Sequence, residues 1–444
     1  MSSTTQERYL AYKNSDVEWL GKIPSHWELT RNKDIFSERG SLSQFGTETL
    51  LTVSHITGVT RRSEKTVNMF MAETMEGYKH CKVGDLIINT MWAWMGALGT
   101  AREDGICSPA YGVYAPKKKI SYSHAYFDYL YRTPNAVSEM TRNSKGIVSS
   151  RLRLYPKDFF QIFTALPRYE EQVAIAAYLD TRTSQIDLQL KLLSQKATQY
   201  RALRQAIITQ AVTQGLNKFV AMKNSGIAWI GKIPEHWRSV RLKDVISKIT
   251  SGVTPRGGAE SYVDVGIPFL RSQNVHNDGI HLEDVSFISY STHLEMMGSQ
   301  VKPGDIVFNI TGASIARTCM IPATIKTANI SQHIALLRVS RLNEARFISY
   351  YLQSQLVKDF VYLTQNGASK EAFNHGQMKC IPLPLPPRSE QKTIAAYLDD
   401  KTEKIDCIVN AINIRIETFK ELRRVLVNDV VTGKIKIVSE GPAA

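Results

Sequence analysis

Glu171 to Asp180 reads EQVAIAAYLD, and Glu390 to Asp399 reads EQKTIAAYLD, 219 residues further on. Each decapeptide opens a run with neither Pro nor Gly, Arg168 to Gln214 and Arg388 to Thr432. Pro167 stands before the first run and Gly215 after it; Pro386 and Pro387 precede the second and Gly433 follows. Proline ahead and glycine behind punctuate a helix: the first turn leaves proline's missing N–H unused, and glycine accepts a left-handed stop. Each run holds roughly 45 residues and would reach about 70 Å at 1.5 Å per residue. A break near Asp180 to Ser184 is compatible with this reading, since Thr183 or Ser184 could cap a second segment. The apolar stripe of the first run is Ile186, Leu190, Leu193, Ala197, Tyr200, Leu203, Ile207 and Ala211. That of the second is Ile405, Val409, Ile412, Ile416, Phe419, Leu422, Leu426 and Val430. Both alternate steps of four and three, with an extra step of three before Leu203 and Leu422, which predicts a coiled-coil seam with one irregularity.

Outward from these runs the chain repeats itself. Lys13 to Phe36 (KNSDVEWLGKIPSHWELTRNKDIF) and Lys223 to Ile246 (KNSGIAWIGKIPEHWRSVRLKDVI) share 13 of 24 residues, and KVGDLIIN at Lys82 answers KPGDIVFN at Lys302. Three repeats in one order mean a unit written twice, globular block and then helix. The expected organisation is a block at 1–167, a helix at 168–216, a block at 217–385, a helix at 386–436 and a flexible tail at 437–444. Matched helices that each follow a block pair most simply antiparallel, with the blocks at opposite ends. β-like runs at Asp85 to Asn89, Asp305 to Ile310 and His333 to Val339, with helical patches at His124 to Tyr131 and Ala345 to Val361, make each block α/β. The fold class is therefore mixed α/β: two α/β domains separated by two long helices in an antiparallel coiled coil, with an internal pseudo-two-fold repeat.

Charge points to the partner. The 444 residues carry 55 Lys and Arg against 41 Asp and Glu, a net of +14, and 11 of those charges lie in the two blocks. Such an excess favours a polyanion, nucleic acid before an anionic membrane. The most apolar stretch, Leu86 to Gly99, is too short to cross a bilayer. No apolar signal core stands at the N-terminus, and five scattered cysteines without a C-x-x-C pair read as reduced cytoplasmic thiols. Candidate DNA contacts in the first block are Arg61, Arg62, Lys145, Ser149, Ser150, Arg151 and Arg153. In the second they are Thr254, Arg256, Arg271, Gln273, Asn274, Asn366, Ser369 and Lys370. Arg can take guanine bidentately and Asn or Gln adenine, each about 1–3 kcal/mol of discrimination, although most DNA contacts go to phosphate. Met91-Trp-Ala-Trp-Met95 could stack on bases; a core aromatic cluster is the plainer reading. Ile186, Leu190, Leu193, Tyr200, Ile405, Val409, Ile412 and Phe419 are the helix-pairing and partner-docking candidates.

Catalytic signatures do not appear. Gly226 to Lys232 fits the first seven positions of a phosphate-binding loop, but Ile233 replaces the hydroxyl residue. No G-x-G-x-x-G, H-E-x-x-H or G-x-S-x-G occurs. His55, His281 and His333 lack companions at ligand spacing and read as ordinary structure, so no metal and no cofactor is expected on this chain.

The GKIP-x-HW openings (Gly21 to Trp27, Gly231 to Trp237), the K-x-GD segments and the EQ-x-x-IAAYLD helix starts resemble those of type I restriction–modification specificity subunits, in order and twice over. The resemblance implies that each block is a target-recognition domain reading one half of a split, asymmetric DNA site. It also implies that the helices set the gap between the halves and dock two modification (methyltransferase) subunits. Those partners would use S-adenosylmethionine, and restriction subunits would use ATP with magnesium. It hands over no individual base contact. Two other readings stay open: a self-contained DNA-modifying or DNA-cleaving enzyme with a divergent site, and a coiled-coil scaffold that reads no sequence.

Overall fold

The computed structural model describes residues 7–65, 74–148, 151–364 and 372–437. Its chain divides into two compact units, Met1–Leu192 with Arg415–Ala444, and Leu193–Ile414. Each unit therefore takes one globular block together with a stretch of each long helix.

In the first unit a four-stranded antiparallel sheet runs in the order Phe36–Glu38, Tyr111–Pro116, Leu86–Asn89, Leu98–Thr100. Leu86–Asn89 is an unbroken apolar strand because both faces are covered. Helix His124–Tyr131 docks on the edge strand, where Asp128 Oδ1 accepts from Thr100 N at 2.9 Å. The core is aromatic, with Trp27, Phe36, Tyr114, Phe127, Tyr131 and Phe159 fully enclosed.

The second unit repeats this sheet as Ile246–Ser251, Ile334–Val339, Ile306–Asn309, Thr318–Met320. It adds a five-stranded sheet ordered Tyr262–Val263, Ser286–Ile288, Ile267–Leu270, Ala328–Ile330, Gln300–Val301, with one parallel pair, Ile267–Leu270 beside Ala328–Ile330. The helical patch expected from Ala345 to Val361 is two helices, Ala345–Gln353 and Gln355–Thr364, divided where Ser354 turns extended. Gly226 to Lys232 belongs to a β-hairpin, Met222–Asn224 on Lys232–Pro234, with Ile233 buried.

The long helices are Tyr169–Gln214 and Arg388–Val431. The first runs unbroken through Asp180 to Ser184. Thr183, which meets the Tyr129 hydroxyl at 3.1 Å, and Ser184 both lie inside this one helix, so neither caps a new segment. Gly215 (φ +72°) and Gly433 (φ +75°) follow the helix ends, and a Cβ at Gly433 would lie 2.4 Å from Pro24 Cδ.

Within each unit the two helix segments run antiparallel. In the first, Ile175 and Leu179 share a core with Val427, Val430 and Val431, while further along Asp187 meets Arg423 at 3.0 Å. In the second, Ile208, Ala211 and Val212 share a core with Ile394, Ala395 and Leu398, and Arg204 meets Asp406 at 3.0 Å. Ile186, Ile405 and Ile412 are buried, and Leu190, Leu193, Tyr200, Val409 and Phe419 half-buried, as seam residues. The irregularity differs from the one expected. Leu203 and Leu422 are 47% and 50% exposed, whereas Arg204 is only 9% exposed. At 3.6 residues per turn Arg204 sits five full turns from Ile186, and Arg423 five from Ile405, so geometry keeps the arginines in line and swings the leucines away. Among the described residues no helix is long and apolar enough to cross a membrane.

Candidate nucleic-acid interface

The repeated motifs build the frame. In GKIP-x-HW, Ile23, Trp27, Ile233 and Trp237 are buried, and His26 and His236 bond Glu171 (3.0 Å) and Glu390 (2.8 Å) at the helix starts. The neighbouring glutamines plug the helix into its block. Gln172 accepts from Ser123 N (2.9 Å) and donates to Pro167 O (2.9 Å), and Gln391 accepts from Glu344 N (2.8 Å) and donates to Pro386 O (2.9 Å). The closing Asp180 and Asp399 accept from Tyr129 (2.7 Å) and Tyr350 (2.8 Å), whose phenols burial pushes up to about 12. In K-x-GD, buried Asp85 and Asp305 are ion-paired to Arg39 and Arg338 and accept from Lys82 N and Lys302 N. These groups are fully occupied in holding turns, which leaves the loops to face a partner.

In the first unit Lys145 and Arg153 form an antiparallel bridge, Lys145 N donating to Arg153 O and Arg153 N to Lys145 O, each at 2.9 Å. Lys145 is paired with Asp158 at 2.9 Å. Arg151 and Arg153 are exposed and have no acidic partner among the described residues. Arg153 Nη2 reaches Met91 Sδ at 3.8 Å, and Leu154 N donates to Thr90 O at 3.1 Å. Arg153 and Leu154 thus lie against the segment Thr90 to Met95, in which Trp92 is 49% exposed rather than a core residue. Arg61 is held bidentately by Glu103 at 2.6–2.9 Å, which raises the Arg61 guanidinium above its usual range; Arg62 is half-buried beside it. Ser149 and Ser150 lie outside the described residues.

In the second unit two loops leave adjacent strand ends, with Val253 N on Ile330 O (3.1 Å) and Ser331 N on Leu270 O (2.9 Å). The first carries Thr254, bonded to Gln332, and exposed Arg256, which has no acidic partner among the described residues. The second carries Arg271, 5.9 Å over the Tyr262 ring and donating to Asp284 O at 3.2 Å, and exposed Gln273. Asn274 is buried; its side chain accepts from Arg271 N (2.9 Å) and donates to His281 O (3.0 Å), so it shapes the loop rather than facing outward. Phe373 N donates to Ile310 O (2.9 Å), the counterpart of Leu154 on Thr90. Asn366, Ser369 and Lys370 lie outside the described residues. Gln332 and Tyr262 join this patch with no local signal in the sequence; only strand pairing brings them there.

The five cysteines are free thiols, and one expectation about an isolated side chain changes, that for His281. Cys81 and Cys107 sit on paired strands (Gly105 opposite Cys81, Cys107 opposite Lys79), and the Cys107 contact, then burial, pushes the Cys81 thiol up. His281 has companions: His276, Asp278 and His281 form the one group among the described residues with ligand atoms close enough for a metal ion.

Two blocks of unlike polar loops are each clamped to a stretch of a duplicated helical frame. The family model described as "Type I restriction modification DNA specificity domain" matches residues 234–418. The chain is 23% identical to the type I restriction enzyme MjaIX specificity subunit of Methanocaldococcus jannaschii over 96% of each chain. It is 23% identical to the type I restriction enzyme EcoBI specificity subunit of Escherichia coli over 68% of this chain and 64% of that protein. Across the first curated relatives it matches, the chain spans 44 to 64% of their length. A solved structure described as the basis of complex assembly and conformational transition of the type I R-M system aligns with a TM-score of 0.68 at 17% identity, covering 92% of this chain and 98% of that one, a likeness of fold. The chain is thus similar to type I restriction enzyme specificity subunits, and residues 234–418 match the model of their DNA specificity domain.

Proposed function

We propose that this chain is the non-catalytic DNA-reading subunit of a type I restriction–modification complex, with residues 1–167 and 217–385 each reading one half of a bipartite, asymmetric site. The segments 168–216 and 386–436, which contain the long helices, act as spacer and as the dock for two modification subunits, with restriction subunits joining for cleavage and 437–444 as a tail. S-adenosylmethionine serves the modification subunits, and ATP with magnesium the restriction subunits, in the cytoplasm. The observation that carries this reading is the contrast between frame and loops: ion pairs and plugs recur at matching positions, while Arg151 and Arg153 in one block and Arg256, Arg271 and Gln273 in the other differ in type and setting. Unlike loops on like frames suit unlike half-sites, and Arg with Gln supplies base-edge readout beside phosphate contact. Sequencing methylated positions in DNA modified by this chain with its modification subunits should reveal two fixed half-sites at constant separation. Methylation by the purified chain alone, or none with partners present, would refute the reading.

A further inference from the structure

The second block carries a hairpin whose tip gathers metal-ligating groups. Val275–His276 pairs with Gly279–Ile280, leaving Asn277 and Asp278 as a two-residue turn. Asn277 Oδ1 accepts from Thr318 N at 3.0 Å, tying the turn to its neighbouring strand, and His281 N donates to Asn274 O at 2.9 Å. On this anchored turn the ligand atoms of His276, Asp278 and His281 lie within 4.8 Å of one another. The two imidazole rings are stacked at 4.1 Å, 16° from parallel, and His281 Nε2 is 3.3 Å from Asp278 Oδ1.

We propose that His276, Asp278 and His281 form a binding site for a divalent transition metal of the zinc class. Two imidazoles and one carboxylate make a borderline-soft donor set that suits zinc, cobalt or nickel better than magnesium or calcium, with a fourth position left for water. A second feature favours it. His276 Nε2 lies 2.8 Å from Gln273 O, and a carbonyl only accepts, so Nε2 carries the proton and Nδ1 keeps its lone pair. Fixing a ligand's tautomer through a backbone carbonyl is the usual outer-shell arrangement of a metal-bound histidine. Asp278 is exposed and the histidines half-buried, so an ion has a path in. A hairpin of the first block, Leu51–Ser54 on Gly58–Arg61, carries His55 in its turn with one imidazole and no carboxylate, and so serves as a comparison.

The site does not depend on DNA reading, and its test is direct. The full chain, stripped with EDTA and desalted, is titrated with zinc chloride by calorimetry and with cobalt chloride by visible absorption. One ion per chain is expected. His276→Ala and His281→Gln should weaken binding beyond the roughly 10–100-fold caused by losing an outer-shell partner, while His55→Ala and the double variant Cys380→Ser, Cys407→Ser retain it. With EDTA present, wild type and His281→Gln should melt together, and zinc chloride should raise only the wild-type midpoint. No uptake by wild type, or equal uptake and equal midpoint shifts in the histidine variants, overturns the site.

Discussion

Among the described residues the two globular blocks share a four-stranded sheet of matching order, and the second alone adds a five-stranded sheet and, against the shared sheet, the His276–His281 hairpin. What they share is internal: Trp27 against Gly433, Trp237 against Gly215, Asp85 with Arg39, Asp305 with Arg338. What differs faces outward. A buried polar group must find a partner or cost about 1–3 kcal/mol, so frame positions tolerate few alternatives, whereas an exposed loop residue loses little by changing. Duplication followed by divergence of the outward-facing parts is the economical outcome of that asymmetry.

The comparison can be broken first at the tryptophans. Trp27→Ala and Trp237→Ala each empty a fully buried indole site and should cost about 3–5 kcal/mol. Chemical denaturation should show similar losses for the two, and a negligible loss for either would mean the frame is not equivalent in both units. Next come the loops. Arg271→Ala should cost about 1–3 kcal/mol of discrimination at one half-site only, and Arg151→Ala at the other. Binding assays with half-site variants decide it: equal loss on every duplex would mark a phosphate contact.

The paired arginines give a smaller, graded difference. The Arg204 side chain is 11% exposed and its partner Asp406 is pushed above the usual carboxylate range by burial, in spite of Arg204; the Arg423 side chain is 40% exposed. Arg204→Ala should therefore destabilise by about 1–2 kcal/mol, between exposed and buried pairs, and Arg423→Ala by less than about 1 kcal/mol. Thermal melts giving the reverse order would contradict the burial difference. The weakest effect concerns His375, which bonds Ser251 at 2.8 Å and is held below its ordinary value of 6.5 by burial and then by Lys379. A histidine with a depressed folded value favours the neutral form, so its stabilising share is present above about pH 6.5 and lost as pH falls below it. Between pH 7.5 and 5.5 the wild type should lose slightly more stability than His375→Gln; identical losses would assign the change elsewhere.

Much of the frame was legible because its signals are local. A run free of Pro and Gly between punctuating residues gives helix ends within a residue or two, and apolar strands such as Leu86–Asn89 announce themselves. The seam was misread at Leu203 and Leu422 because apolar character was weighed above phase, although the five-turn spacing of Arg204 from Ile186 was present in the numbering. Asn274 looked like a reader by residue type; its burial depends on His281, seven residues on, which no periodicity encodes.

By itself the amino-acid order determined the duplication, the long helices and the excess of positive charge on the blocks, since repetition, helical period and charge are properties of neighbours along a chain. Tertiary structure decided which arginines stand free and which are neutralised, that Trp92 lies open, and that His276 and Asp278 accompany His281. Those outcomes hang on which strands and turns come side by side, and burial and partnership are set by that meeting in space rather than by any interval in sequence.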